Sequence, residues 1–165
     1  CRSIDPDKRD ISLGICLSND QNVISGVKEK VLKVSRLAKE NGARWVIPLE
    51  SGGAFHSPLC LEILGEYDKI FDTFAFADSY FLIYSCAYGS SSRIGKQIKK
   101  MLSKQISMPI LWDTIISNLK KEGISKIIEL GPGCTISGNT RIIDPSIESK
   151  WINNVKDLSD FPKSM

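Results

Sequence analysis

The sequence has 165 residues, 42% of them hydrophobic and 25% charged, with a formal net charge of +3. That length suits one ordinary domain burying roughly 70% of its extended surface. The composition excludes disordered and membrane-embedded classes, and so mild a charge gives no argument for nucleic acid as a partner.

The chain reads first as two short strands, residues 11–17 and 22–25. Val27, Val31, Val34 and Ala38 then recur at helical spacing, interleaved with Lys28, Lys30, Lys33 and Lys39. Asn41-Gly42 stops that helix. Arg44-Trp45-Val46-Ile47-Pro48-Leu49 predicts a third strand, and Ser57-Pro58 predicts a helix start, with Ser57 as N-cap and Pro58 at the first helical position. That helix runs towards Ile70, a strand follows over 80–84, and Gly89-Ser90-Ser91-Ser92 is a loop opening the next helix. The next helix has an apolar stripe at Ile94, Ile98 and Met101, and the following position on the stripe is Gln105, a polar residue that needs partners there. Its opposite side is basic, with Lys96, Lys99, Lys100 and Lys104, a candidate docking patch for an acidic partner. A helix over 113–121 ends at Gly123, and a strand over 126–130 leads into a Gly-Pro-Gly turn. Alternating strands and helices predict an α/β fold.

Between the strand at 44–49 and the helix after Ser57 lies Gly53-Ala54-Phe55-His56-Ser57-Pro58-Leu59, which holds the only histidine of the chain. A lone imidazole on a loop held by rigid elements is a candidate general base. His56 and Cys60 stand one helical turn apart, but no further ligand at suitable spacing argues for a metal, and none is expected. The five cysteines are scattered without a C-x-x-C pair and read as small apolar residues of a reducing compartment.

The wording of several segments, in order, is more specific. Gln21-Asn22-Val23-Ile24-Ser25-Gly26 and Gly42-Ala43-Arg44 precede the histidine loop. Lys104-Gln105, Met108-Pro109-Ile110-Leu111-Trp112 and Ile128-Glu129-Leu130-Gly131-Pro132-Gly133 follow it. Ile136-Ser137-Gly138 and Asn154-Val155-Lys156-Asp157-Leu158 close the series. Together, over about residues 17–160, they resemble the malonyl-CoA–acyl carrier protein transacylase family. The resemblance implies the C-terminal part of an α/β-hydrolase-like acyltransferase core plus most of an inserted ferredoxin-like subdomain. Residues 1–50 would be part of that small subdomain and 51–165 the returning part of the large one.

The implied reaction moves malonyl from coenzyme A to a serine, then to the phosphopantetheine thiol of acyl carrier protein, in fatty acid biosynthesis. The resemblance makes His56 the base, oriented by the backbone carbonyl of Gln105, and makes Phe55 a filler of the space an α-methyl group needs. It implies no cofactor. The implied partners are malonyl-CoA, acyl carrier protein and the N-terminal half of the same enzyme, with no nucleic acid or membrane. The implied location is the cytoplasm, or an organelle such as a plastid or mitochondrion.

No G-x-S-x-G nucleophile elbow occurs in the sequence, and Ser12-Leu13-Gly14 lacks the first glycine because Asp10 stands there. The chain is therefore expected to be inactive alone, and a non-catalytic remnant or binding piece is an alternative. The Glu129-Leu130-Gly131-Pro132-Gly133 turn also resembles the first motif of S-adenosylmethionine-dependent methyltransferases. Against that stand Thr135 in place of the third glycine and the short remaining chain. Ser85-Cys86 and Asn139 depart from the transacylase pattern.

Overall fold

The computed structural model describes residues 3–7 and 9–159, so Cys1 lies outside the described residues. The chain is mixed α/β and divides into two compact units, residues 1–112 and 113–165.

In the first unit, β1 (Ile11–Cys16) pairs antiparallel with β2 (Asn22–Gly26) through a tight turn in which the N–H groups of Leu17 and Ser18 donate to the Gln21 carbonyl. The register slips at Gly14, which has no partner on β2. Such a bulge re-aims the strand and is a common device beside functional sites. Helix α1 (Lys28–Glu40) follows, its Val31, Val34 and Ala38 half-buried and its lysine face outward.

The apolar alternation at 44–49 forms no strand. Trp45, Ile47 and Leu49 are 74%, 71% and 65% exposed, and none pairs with a neighbour in any sheet. Alternation selects an extended backbone, but a strand also needs a partner for its N–H and C=O groups. A second correction falls after Ser57: Pro58–Ile63 is a 3-10 helix, and only Leu64–Asp72 (α2) is α-helical. A third concerns residues 80–92. The strand shrinks to β3 (Ile83–Tyr84), and the serine loop contributes β4 (Ser91–Ser92), which pairs with it antiparallel.

Helix α3 (Gly95–Gln105) packs against α2. Its start has room only for glycine, because a Cβ on Gly95 would lie 2.1 Å from the Phe76 carbonyl oxygen. Asp78 caps it, accepting from the Gly95 N–H at 2.9 Å. Pro109 follows its end, and β5 (Ile110–Leu111) adds to the far side of β1 in parallel, giving the order β2-β1-β5. The first unit thus joins residues on both sides of position 50, and its sheet is completed from residues 110–111.

The second unit holds most of α4 (Trp112–Lys121), then β6 (Lys126–Leu130), α5 (Thr135–Ile143), β7 (Glu148–Ile152) and α6 (Val155–Ser159). β6 and β7 are parallel, Lys126 opposite Glu148 through Leu130 opposite Ile152, with α5 as crossover. Asp144 follows α5, and the Lys120 ammonium ahead of the Ser146 hydroxyl and N–H holds its carboxyl down from 3.8 to about 2. A depressed carboxylate stabilises the fold above its unfolded value and loses that contribution as pH falls towards the folded value. Asp144→Asn is therefore expected to melt below the parent at neutral pH, the difference closing between about pH 4 and pH 2. Thermal unfolding of both proteins across that window measures it, and a pH-independent gap would remove the charge account.

Candidate active site

An α-helix ends with carbonyls that have no intrahelical donor. At the end of α3, two of these are taken by one residue. The His56 N–H donates to the Ile106 carbonyl at 2.8 Å, and the His56 ring places Nδ1 3.0 Å from the Gln105 carbonyl oxygen. A carbonyl only accepts, so in this contact Nδ1 carries the proton. The neutral ring then has its lone pair on Nε2, which makes no hydrogen bond among the described residues. The arrangement is a fixed tautomer with its accepting nitrogen free.

The backbone at His56 is unusual as well. Its φ of 60° is the only positive value at a non-glycine residue among those described. That conformation costs about 1–2 kcal/mol for an L-residue and persists only where the surroundings hold it. Here they do. Ser12 in β1 donates its hydroxyl to the His56 carbonyl at 3.0 Å. Ser57, fully buried, donates to the Ala54 carbonyl at 2.6 Å, and the Cys60 thiol reaches the same oxygen at 3.3 Å. Ser57 is therefore not the side-chain N-cap that its position predicts, since its hydroxyl turns back to tie the loop. Gly14 completes the fit: a Cβ there would sit 3.0 Å from Ser25 and 3.7 Å from the His56 Cβ.

Of the site residues expected from sequence, His56 and the Gln105 carbonyl are brought together. The Phe55 ring lies against Gly53, where an added Cβ would meet it at 3.3 Å, and is 48% exposed. Ser12 sits within a strand with its hydroxyl on a carbonyl, a poor position for a nucleophile. Sequence reasoning missed Ser12 and Gly14 as supports of the histidine loop. A glycine inside the apolar alternation of β1 is the signal that points to a bulge and a close approach. Cys60 is buried, and among the described residues no three His, Cys, Asp or Glu side chains gather to hold a metal.

The glycine turn after β6 has a structural account. Glu129 accepts from the N–H groups of Ser137 and Ile136 at 2.8 and 3.2 Å, so its carboxylate caps the first turn of α5. Burial pushes this carboxyl up, but the Ser137 and Ile136 N–H groups outweigh it and leave it below the usual value.

Comparison with known proteins shows what the chain is similar to. No family model matches the chain. A curated protein of Bacillus subtilis (strain 168), malonyl CoA-acyl carrier protein transacylase, is 33% identical over 129 residues, covering 78% of this chain and 41% of its own length. The solved malonyl-CoA:ACP transacylase of Synechocystis sp. PCC 6803 superposes with a TM-score of 0.88 at 25% identity, over 97% of this chain and 54% of that one. The chain is a relative of the malonyl CoA-acyl carrier protein transacylases. It spans about half the length of the transacylases it matches. A further solved structure, of a type II PKS acyl-carrier protein in complex with its malonyl-transacylase, shares the fold at a TM-score of 0.90 and 21% identity, over 96% of this chain and 51% of that one.

Proposed function

We propose that this chain is the base-bearing, C-terminal half of an enzyme that transfers malonyl from coenzyme A to acyl carrier protein. One observation carries the reading: His56 is held by backbone in a strained loop, Nδ1 on the Gln105 carbonyl, with Nε2 free to accept a proton. A hydroxyl is a weak nucleophile at neutral pH and needs such a base beside it.

In the proposed cycle, a serine of the complementary half attacks the malonyl thioester carbonyl while Nε2 takes its proton. The tetrahedral intermediate collapses, the C–S bond breaks, and the imidazolium protonates the departing coenzyme A thiolate. Malonyl is left as an ester on the serine. The second half runs in reverse with the carrier's thiol: Nε2 takes the thiol proton, sulfur attacks the ester, and the serine leaves with that proton returned. An uncharged acceptor at Nδ1 fixes the tautomer without adding an ion pair. In this reading residues 1–50 belong to a small subdomain and 51–165 to the large one.

The unpaired stretch at 44–49 supports a complementary half. Trp45, Ile47 and Leu49 stand on alternate positions and are all exposed, as the apolar side chains of a strand are when its neighbour is elsewhere. The test is to combine the chain with an N-terminal half that contains a G-x-S-x-G elbow and to follow malonyl transfer from malonyl-CoA to carrier protein. Transfer is expected from the pair and not from the chain alone. A folded, associated pair that gives no transfer removes the proposal.

Phe55 is proposed as the residue that disfavours an α-methyl on the acyl group, since its exposed ring stands beside His56 in sequence and rests on Gly53. One methyl in a pocket is worth ~1–3 kcal/mol. Phe55→Ser in the assembled enzyme is accordingly expected to shift the malonyl-to-methylmalonyl kcat/KM ratio by about tenfold or more towards methylmalonyl. An unchanged ratio would show that the ring only packs.

A further inference from the structure

We propose that the basic stripe on α3 is the surface on which the acidic carrier protein docks; this rests on the transfer reaction proposed above. Lys96, Lys99, Lys100 and Lys104 fall at i, i+3, i+4 and i+8, which places them along one face of the helix. With Asp68 and Ser103 they line a hollow of about 230 Å³.

The neighbouring helix α2 engages part of this face. Ser103 donates its hydroxyl to Asp68, and Lys99 pairs with Asp72 at 2.7 Å while lying 5.9 Å from the centre of the Phe76 ring. Those contacts hold α3 against α2 and fix the stripe's backbone. Lys96, Lys100 and Lys104 have no carboxylate within ion-pairing distance among the described residues. Three like charges on one rigid face repel one another, and a partner bearing carboxylates at matching spacing relieves that repulsion on binding.

Position separates this stripe from an ordinary solvated lysine face. Lys104 is the residue before Gln105, whose carbonyl anchors the His56 ring, and Lys96 lies about 12 Å further along the helix axis. A protein seated on the stripe therefore sits beside the anchor of the proposed base. Helix α1 supplies the contrast within the same chain. Lys28, Lys33 and Lys39 are exposed and likewise without ion pairs, but α1 carries neither contact to the His56 ring nor any lining residue of the hollow.

The test measures binding of the 165-residue chain to the holo acyl carrier protein of Bacillus subtilis by titration calorimetry at low and high salt. The triple variant K96E/K100E/K104E is expected to bind at least about tenfold more weakly, and K28E/K33E/K39E, with the same change of net charge, within about twofold of the parent. The parent's own affinity should fall steeply with salt. Should the glutamate triple melt early, K96Q/K100Q/K104Q is the substitute, with a smaller loss in the same direction. Equal losses in the α1 and α3 triples would reduce the effect to bulk charge and overturn the proposal, as would no carrier binding by the parent. Free coenzyme A is the second arm. If it binds the parent and loses affinity in the α3 triple while the carrier does not, the stripe is a phosphate site and the proposal fails. Carrier binding that depends on α3 but accompanies no transfer in the assembled enzyme would count against the reaction alone. Transfer that ignores the stripe would count against the docking alone.

Discussion

Replacing His56 by alanine in the assembled enzyme is expected to cut malonyl transfer by ~10²–10⁴-fold, the usual worth of a positioned general base. Gln105→Ala should lose far less, because the atom that receives the Nδ1 proton is a main-chain oxygen that alanine retains. Stability must be separated from chemistry at this position, since φ is 60° there. His56→Gly supplies the control: glycine adopts that backbone freely and should be more stable than His56→Ala by ~1 kcal/mol, yet equally inactive. A glycine variant that folds and still transfers at near the parent rate would end the case for a base. The chain alone offers a direct view of the contact. It contains a single histidine, so its long-range ¹H–¹⁵N spectrum reports one imidazole, expected as the Nδ1–H tautomer. An Nε2–H tautomer would contradict the hydrogen bond to the Gln105 carbonyl.

Gly95→Ala is the second large effect. The new methyl would meet the Phe76 oxygen at 2.1 Å and the Ala77 oxygen at 2.7 Å, both main-chain atoms that cannot swing aside. Overpacking of this kind costs ~1–3 kcal/mol, and relief requires the start of α3 to shift. Because α3 carries Gln105 at its other end, the same substitution should loosen the histidine anchor and mix the imidazole tautomers. Gly65→Ala in α2 is the matched comparison. Nothing lies within 4 Å of a Cβ there, so the change should stabilise the helix by up to ~1 kcal/mol. Chemical denaturation of both variants decides the matter. Similar midpoints would mean that the close approach at Gly95 relaxes at no cost.

Periodicity placed the first two strands, α1, α3 and β6, although β6 turns Ile127 and Glu129 inward and leaves Ile128 and Leu130 exposed. It failed where burial is polar. On α5 the inward side chains are Ser137, Asn139 and Thr140, all nearly inaccessible. The Ser137 hydroxyl, the Asn139 Nδ2 and the Thr140 hydroxyl donate to the Lys150, Thr135 and Ile136 carbonyls, while the Asn139 Oδ1 is buried without a partner among the described residues, so no apolar stripe announces the helix. β7 is hidden similarly, since Ser149 and Lys150 break its alternation while the pairing to β6 holds it. The 44–49 stretch shows the opposite failure, a strand-like pattern with no strand beside it. The histidine loop was legible as a place, and the carbonyl at 105 was implied by resemblance. The positive φ and the Ser12 clamp belong to tertiary geometry, which no spacing along the chain encodes, whereas Gly14 is marked in the sequence as a glycine inside the β1 alternation.

The same 44–49 stretch sets the terms on which this polypeptide can be kept in solution. Its exposed Trp45, Ile47 and Leu49 form an apolar rail that a second chain can cover, while Pro48, which lacks an N–H, interrupts the row of backbone donors beneath it. Purified without a cognate chain to shield that rail, the protein has its own copies as the most concentrated candidates, so colloidal behaviour and assembly state become two readings of one uncapped seam.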